Sequence, residues 1–433
     1  MQPSKPRVPV DVALAATYFC NIVVLTLPVL LVPLMAPDPS TAASFAAKVA
    51  SVATLGGGIG KFVNGFVCQA FGAQTSSAVY LVGSAVSYLL LSMMPSTASV
   101  RPILAAVEFF ASLQWTACLV VLTNHYEAQP AKLAAGIGWV SIASTVGTIA
   151  AKLVGSAVLQ WIPSWKILAR AAVAIAFLGA VIVQSSVQEH PVRSRAVQRT
   201  SAPPGATPKR KTGVLDSIRD VLGSRLFGQA GLAHGLIFAA RKCDGVLGPF
   251  FQVMTGFPPS VCGALTVSVT LGFVLGLSNA ARFYRLPDSK SKLRTVRKWY
   301  TAAVASAFGL GILSIKAVST RFLASPYLVA GVLSALSASM AAFLSFQFYQ
   351  VPSLIATKFG DNKAVCLSFF DGMGFFISAP IWAVSSNLID SGAYGWSLQW
   401  SLLGSMFAVG AGLMLDLFPR VIAPSPKDGR RPS

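Results

Sequence analysis

Hydrophobic residues in this chain come in long blocks, not in the alternating or amphipathic patterns of a soluble fold. A helix needs about 20 apolar residues to cross the hydrocarbon core of a bilayer, and blocks of that length recur along the sequence. We predict twelve membrane-spanning helices, near residues 11–36, 43–67, 75–94, 101–123, 133–160, 166–187, 226–252, 259–281, 299–318, 325–350, 363–388 and 397–418. The first block is too long for the apolar core of a signal peptide, so we interpret it as a helix.

The longest polar stretch divides the twelve predicted helices into two groups of six. Residues 188–224 combine clustered basic residues with Pro203-Pro204-Gly205, a composition typical of a flexible linker. We therefore expect an N-terminal half (1–187), this basic linker, and a C-terminal half (225–433) that ends in a short basic tail.

A short internal repeat supports the two halves. Lys132 and Trp165 stand 33 residues apart around the fifth predicted helix, and Lys363 and Trp396 stand 33 residues apart around the eleventh. Parallel repeats of this kind, related by an axis along the membrane normal, place a substrate site between the halves.

Composition excludes a soluble enzyme and gives an orientation. Of 433 residues, 54% are hydrophobic and 11% are charged, whereas a soluble domain has about 25% charged residues. The net charge of +20 is carried mainly by the linker, the segment 282–298 and the ends of the chain. The positive-inside rule then places both termini and the linker in the cytosol, in a membrane that the sequence does not identify. Because these charges lie in short loops among lipids, a nucleic-acid partner is not expected.

The chemistry-bearing residues do not form a catalytic or metal site. The six cysteines are isolated and the three histidines are scattered, so we expect neither enzyme activity nor a cofactor or metal.

Charged residues inside the predicted helices are the candidates for function, because each needs a partner or a water-filled cavity. Arg241 and Asp244 are three residues apart, hence on one helix face, and we expect them to pair. Lys61 follows a glycine-rich run, and Asp371 is either a proton or cation site or a partner for one of the basic groups, which we favour. Glu108 and Lys152 lie nearer a helix end and are interpreted as structural.

Four stretches resemble the organophosphate:phosphate antiporters, a branch of the major facilitator superfamily that includes glycerol-3-phosphate and glucose-6-phosphate transporters. They are Tyr18–Asn21 (YFCN), Gly60–Val67 (GKFVNGFV), Gln114–Cys118 (QWTAC) with His125–Glu127 (HYE) after it, and Phe238–Arg241 (FAAR). The resemblance implies a twelve-helix fold of two six-helix halves and a site in which a phosphate is bound by an arginine from each half.

The sequence departs from that branch at several positions. Asn21 occupies the place of the first-helix arginine, so only Arg241 carries over, with Lys61 a possible second cation. The loop signature after the second helix, rich in charges in the superfamily, is GFVCQAFGAQ at 65–74, and its counterpart at 276–281 has also lost its charges.

We therefore expect a monomeric transporter that exchanges a small organic anion, such as a sugar phosphate or glycerol phosphate, for phosphate. Arg241 would bind the anion, Lys61 would add positive potential, and Asn21 and Tyr18 would donate or accept hydrogen bonds from the other half. Two alternatives remain open. One is a transporter of a neutral or carboxylate solute coupled to protons through Asp371, and the other is a membrane sensor that binds its ligand without moving it.

Overall fold

The computed structural model describes residues 8–94, 99–126, 129–187, 214–315, 318 and 325–422. Twelve helices occupy the twelve predicted positions. They are α1 (Val10–Leu34), α2 (Ala42–Phe71), α3 (Ala73–Met93), α4 (Val100–His125), α5 (Pro130–Trp161), α6 (Trp165–Ser186), α7 (Arg225–Arg241 and Asp244–Thr255), α8 (Pro259–Arg285), α9 (Ser289–Leu313), α10 (Pro326–Tyr349), α11 (Lys363–Ile389) and α12 (Gly395–Ile422).

Ten of the twelve helices contain a stretch long and apolar enough to cross a membrane. The other two are α7 and α9. Charged residues and a break after Arg241 divide α7, while the first turns of α9 are polar and basic. Both therefore lack an uninterrupted apolar window although they occupy helix positions in the bundle.

Helix contacts repeat between the first six helices and the last six. In the first group α1 packs on α5 and α6, α2 on α4, and α3 on α6; in the second α7 packs on α11 and α12, α8 on α10, and α9 on α12. The same shift of six relates the two most extensive contacts between the groups, α2 with α11 and α8 with α5. The described helices thus form two six-helix halves related by a pseudo-twofold axis.

The expected linker is not entirely irregular. Residues 188–213 lie outside the described part of the chain, but Val214–Leu222 form a short helix. Val221 is fully buried and Ile218 packs against the core, whereas Arg219 and Asp220 are exposed. This amphipathic pattern explains why the segment is helical where its position in a basic, polar stretch predicts a flexible chain.

The two halves meet at one end of the bundle. We call this the distal end. Because the chain crosses the bundle twelve times, its described part begins and ends on the opposite side, which we call the terminal end. Gly263 at the start of α8 lies against Leu30 of α1 and Ser156 of α5. Along α2 and α11, contacts extend from the Lys48–Asp390 ion pair to a hydrogen bond from Ser368 Oγ to the carbonyl of Lys61.

Candidate functional site

The break in α7 places a cluster of charges between the halves. At the break the amide of Lys242 donates to the carbonyl of Phe238, and those of Gly245 and Val246 donate to carbonyls only three residues back. This local tightening turns the chain where the first part of α7 ends, at Arg241. The break therefore interrupts the helix at its most charged point.

Arg241 is half-buried and stacked on an aromatic ring. Its guanidinium carbon lies 4.3 Å from the ring centroid of Phe273 on α8, in a cation–π arrangement. No carboxylate of the described residues forms an ion pair with it. The ring fixes one face of the guanidinium and leaves its planar donors for another partner.

Asp244 pairs with Lys152, not with Arg241 as the spacing predicts. Lys152 Nζ lies 2.6 Å from Asp244 Oδ1, and the lysine side chain is completely buried. The same ammonium donates to the carbonyl of Thr266 at 3.1 Å and to Thr270 Oγ1 at 3.3 Å. A buried ammonium needs several acceptors. Here α8 supplies the carbonyl and the hydroxyl, and α7 supplies the carboxylate.

Lys61 and Asp371 form a second ion pair across the halves, with Nζ and Oδ2 2.7 Å apart. The side chain of Lys61 is 12% exposed and that of Asp371 is 40% exposed. The carboxylate is thus accessible although it lies well inside α11, and it compensates the lysine that we expected to add positive potential.

Glu108 and Lys242 form a third such pair, 3.1 Å apart. Lys242 Nζ also lies 4.7 Å from the ring centroid of Phe375 on α11. Their positions near a helix end led us to interpret Glu108 and Lys152 as structural residues. The structure adds that both form ion pairs with α7, and the signal in the sequence is that α7 carries charged residues of both signs, Arg241, Lys242 and Asp244.

These three ion pairs, and the pair Lys48–Asp390 near the distal surface, each join one half to the other. At the centre there are four basic groups and three acidic ones, namely Lys61, Lys152, Arg241, Lys242, Glu108, Asp244 and Asp371. Because each acidic group is paired with a lysine, the uncompensated charge belongs to Arg241.

Asn21 and Tyr18 lie within the N-terminal half. Asn21 is 1% exposed and its Nδ2 donates to the carbonyl of Ala111. Ala111 ends the first part of α4 (Val100–Ala111), and the second part begins at Leu113. The centroid of the Tyr18 ring lies 5.6 Å from that of the Trp115 ring on α4. In this conformation the Asn21 amide is directed into the helix packing of its own half.

The glycine run of α2 serves two different contacts. A Cβ on Gly56 would collide with the backbone of Ala105 on α4, and a Cβ on Gly60 would collide with Ser112 on the same helix. A Cβ on Gly57 would meet the ring of Phe375 from the other half, and Gly58 lies against the same residue. The missing side chains therefore allow both close packing within one half and seating of an aromatic ring from the other.

No protein-family model and no curated protein matches the sequence. Solved structures do match. A bacterial homologue of the human lysosomal transporter Spinster, inward-facing and unoccupied, has a TM-score of 0.69 at 16% identity, covering 98% of this chain and 100% of that one. The nucleoside transporter NupG gives 0.68 at 12% identity, over 96% of this chain and 100% of the other. A D-xylose–proton symporter gives 0.60 at 16% identity, over 94% and 96%.

At these identities the likeness establishes the fold. The chain is an integral, multi-pass membrane protein, as the hydrophobic pattern predicts, and it has the major facilitator fold that the resemblance implies. The neighbours that share this fold are secondary transporters. They include transporters of nucleosides, peptides and xylose, so they do not single out the organophosphate branch.

Proposed function

We propose that this protein is a secondary transporter that moves a small organic anion by alternating access, and that Arg241 binds the anion. The observation that carries the proposal is the central charge balance, in which Arg241 is the one cation left uncompensated by the described carboxylates. A charge between helices is costly unless it is paired, so an anionic solute is the partner that the site lacks.

The position of Arg241 suits a carboxylate or phosphate. Its planar fork of donors matches the oxygens of either group, and Phe273 holds the guanidinium from one face. A single excess charge compensates one negative charge of the solute, which a carboxylate carries and which a phosphate monoester carries in its singly ionised form. Lys61 contributes potential but is already paired with Asp371, which makes it a weaker second phosphate ligand than the resemblance implies.

Within this class we propose sugar phosphates and glycerol phosphate as the first substrates to test, exchanged for inorganic phosphate. Exchange is favoured because either anion would compensate Arg241 while the site reorients. We interpret the present conformation, with the halves in contact at the distal end, as open on the terminal side, which the positive-inside rule assigns to the cytosol.

The proposal is tested by phosphate counterflow in vesicles containing the purified protein. Arg241→Ala should abolish uptake, and Arg241→Lys should retain part of it, since lysine keeps the charge without the planar fork. Arg170→Ala, which removes an exposed charge from α6, is the matched control and should transport normally. Undiminished phosphate-driven exchange by Arg241→Ala would refute the assignment.

Asp371 supports a second candidate, a transporter of a neutral or carboxylate solute coupled to protons. Its 40% exposed carboxylate faces a lysine of the other half, so a proton arriving from water would break the pair. Uptake that follows a pH gradient and ignores counter-phosphate would select this candidate. Ligand binding by the purified protein without movement into vesicles would instead indicate a sensor.

A further inference from the structure

The segment Arg282–Lys298 is a concentrated basic surface at the terminal end of the bundle. It joins the last turn of α8 to the first turns of α9 and contains seven basic residues and one acidic residue. The basic residues are Arg282, Arg285, Lys290, Lys292, Arg294, Arg297 and Lys298. None of the seven forms an ion pair with a described residue, and all but Lys292 are exposed.

The helix α9 presents part of this surface in a fixed arrangement. Lys290, Arg294 and Arg297 follow the i, i+4, i+7 spacing of one helix face. Val296 and Tyr300, on the other side, are buried in the bundle. These three residues thus carry their charges on a helix that the core holds in place.

This arrangement is unfavourable for the isolated helix. Cations near a helix N-terminus oppose the macrodipole, and like charges four residues apart repel each other. Asp288 is the acidic residue of the segment, and it caps the helix by accepting from the amide and hydroxyl of Ser291 at 2.7 and 2.8 Å. Those hydrogen bonds lower the pKa of Asp288, so it stays charged, but one carboxylate cannot balance seven cations.

The depth of the basic residues indicates their counterion. The apolar part of α9 begins at Trp299, and a helix rises 1.5 Å per residue, so Lys298 to Lys290 extend roughly 2 to 14 Å beyond it. The headgroup layer on each side of a bilayer is about 5 to 8 Å thick, and electrostatic attraction reaches about one Debye length, roughly 10 Å, further. Most of these cations therefore lie within the layer of lipid phosphates or within its field.

We propose that Arg282–Lys298 is a binding surface for anionic phospholipid headgroups of the leaflet on the terminal side. Clusters of four to eight basic residues beside a membrane helix have the charge and the location to bind phosphatidylserine or phosphoinositide headgroups. The surface is independent of the transport site, which lies deep in the bundle at Arg241. Headgroup phosphates would relieve the repulsion along α9 and stabilise its first turns.

The test compares binding of a fluorescent phosphatidylinositol 4,5-bisphosphate to three forms of the full-length protein in neutral detergent. The variant K290Q/R294Q/R297Q should bind about fivefold more weakly for each charge removed, roughly a hundredfold in total. The control variant R101Q/K166Q/R170Q removes three exposed cations from the distal end and should bind like the native chain. Far-ultraviolet circular dichroism and gel filtration verify that both variants are folded.

Vesicles distinguish the lipid from a free phosphate compound. Phosphatidylserine added to phosphatidylcholine vesicles should raise the melting temperature of the native protein, and 0.5 M salt should cancel the effect. The proposal is overturned if K290Q/R294Q/R297Q keeps native affinity or if the control loses as much. It is also overturned if soluble inositol trisphosphate binds as tightly as the lipid, since the surface would then recognise a free anion.

Discussion

Asp244→Asn should destabilise the protein by about 3 kcal/mol, because it leaves the most buried cation of the bundle without its carboxylate. Lys152 is 0% exposed and has three acceptors, Asp244 Oδ1 at 2.6 Å, the carbonyl of Thr266 at 3.1 Å and Thr270 Oγ1 at 3.3 Å. Removing one partner of a buried pair costs about 3–5 kcal/mol. We expect the lower end of that range, since two neutral acceptors remain and the asparagine amide can supply a third.

A double-mutant cycle isolates the pair from other effects of the substitutions. Lys152→Met should cost less than Asp244→Asn, because Asp244 is 16% exposed and lies three residues from Arg241, which can then compensate it. The double variant should be more stable than Asp244→Asn alone, with a coupling of about 2 kcal/mol between the two sites. The measurement is the free energy of unfolding in detergent, monitored by circular dichroism.

The Lys48–Asp390 pair is the matched control for this reasoning. Its atoms are 3.8 Å apart and its side chains are 39% and 42% exposed, so Asp390→Asn should change stability by less than about 1 kcal/mol. If Asp244→Asn were as mild as Asp390→Asn, or if the cycle were additive, the Lys152 ammonium would not depend on its carboxylate. The account of the central charge balance would then be wrong.

The remaining predictions concern α2 and α11. Gly57→Leu should push the halves apart where Phe375 packs, which increases labelling of cysteines introduced at the distal end; Gly138→Leu, with open space at its Cβ, should not. Asp371→Asn should destabilise the protein by about 1–3 kcal/mol through the unpaired Lys61, and the added change Lys61→Gln should restore most of the loss. If Asp371 couples protons, its asparagine variant should lose uptake driven by a pH gradient while retaining counterflow, and unchanged pH-driven uptake would exclude that role.

The helices were predictable because burial in lipid leaves an unmistakable local pattern. Each block of about 20 apolar residues marks one helix, and the shift of six helices between the halves follows from the number of blocks and from the position of the linker. The short helix Val214–Leu222 was missed because its nine residues are too few to span a membrane and follow a run of basic residues.

Charge pairing was less predictable, because spacing along one helix reports only local neighbours. The i, i+3 rule joins Arg241 to Asp244, whereas the true partner of Asp244 is 92 residues away on α5. Only the packing of the two halves, with α5 against α8 and beside the break in α7, brings Lys152 to that carboxylate. Asn21 shows the same limit, since its position in a resembling motif does not reveal that its amide is directed towards Ala111.

The distribution of charge between the halves bears on how an anion could be moved. Opening the distal end requires the three central ion pairs to separate. Each charge that loses its partner and stays buried would then destabilise the open state. The N-terminal half then retains two lysines and one glutamate, while the C-terminal half retains two basic and two acidic groups on α7 and α11. The two basic and two acidic groups of the C-terminal half can then neutralise each other. The uncompensated positive charge would therefore lie in the N-terminal half and no longer at Arg241. In the transport cycle that we propose, one unit of positive charge would face the space between the halves in both states, so one negative charge of the solute would be compensated throughout the movement.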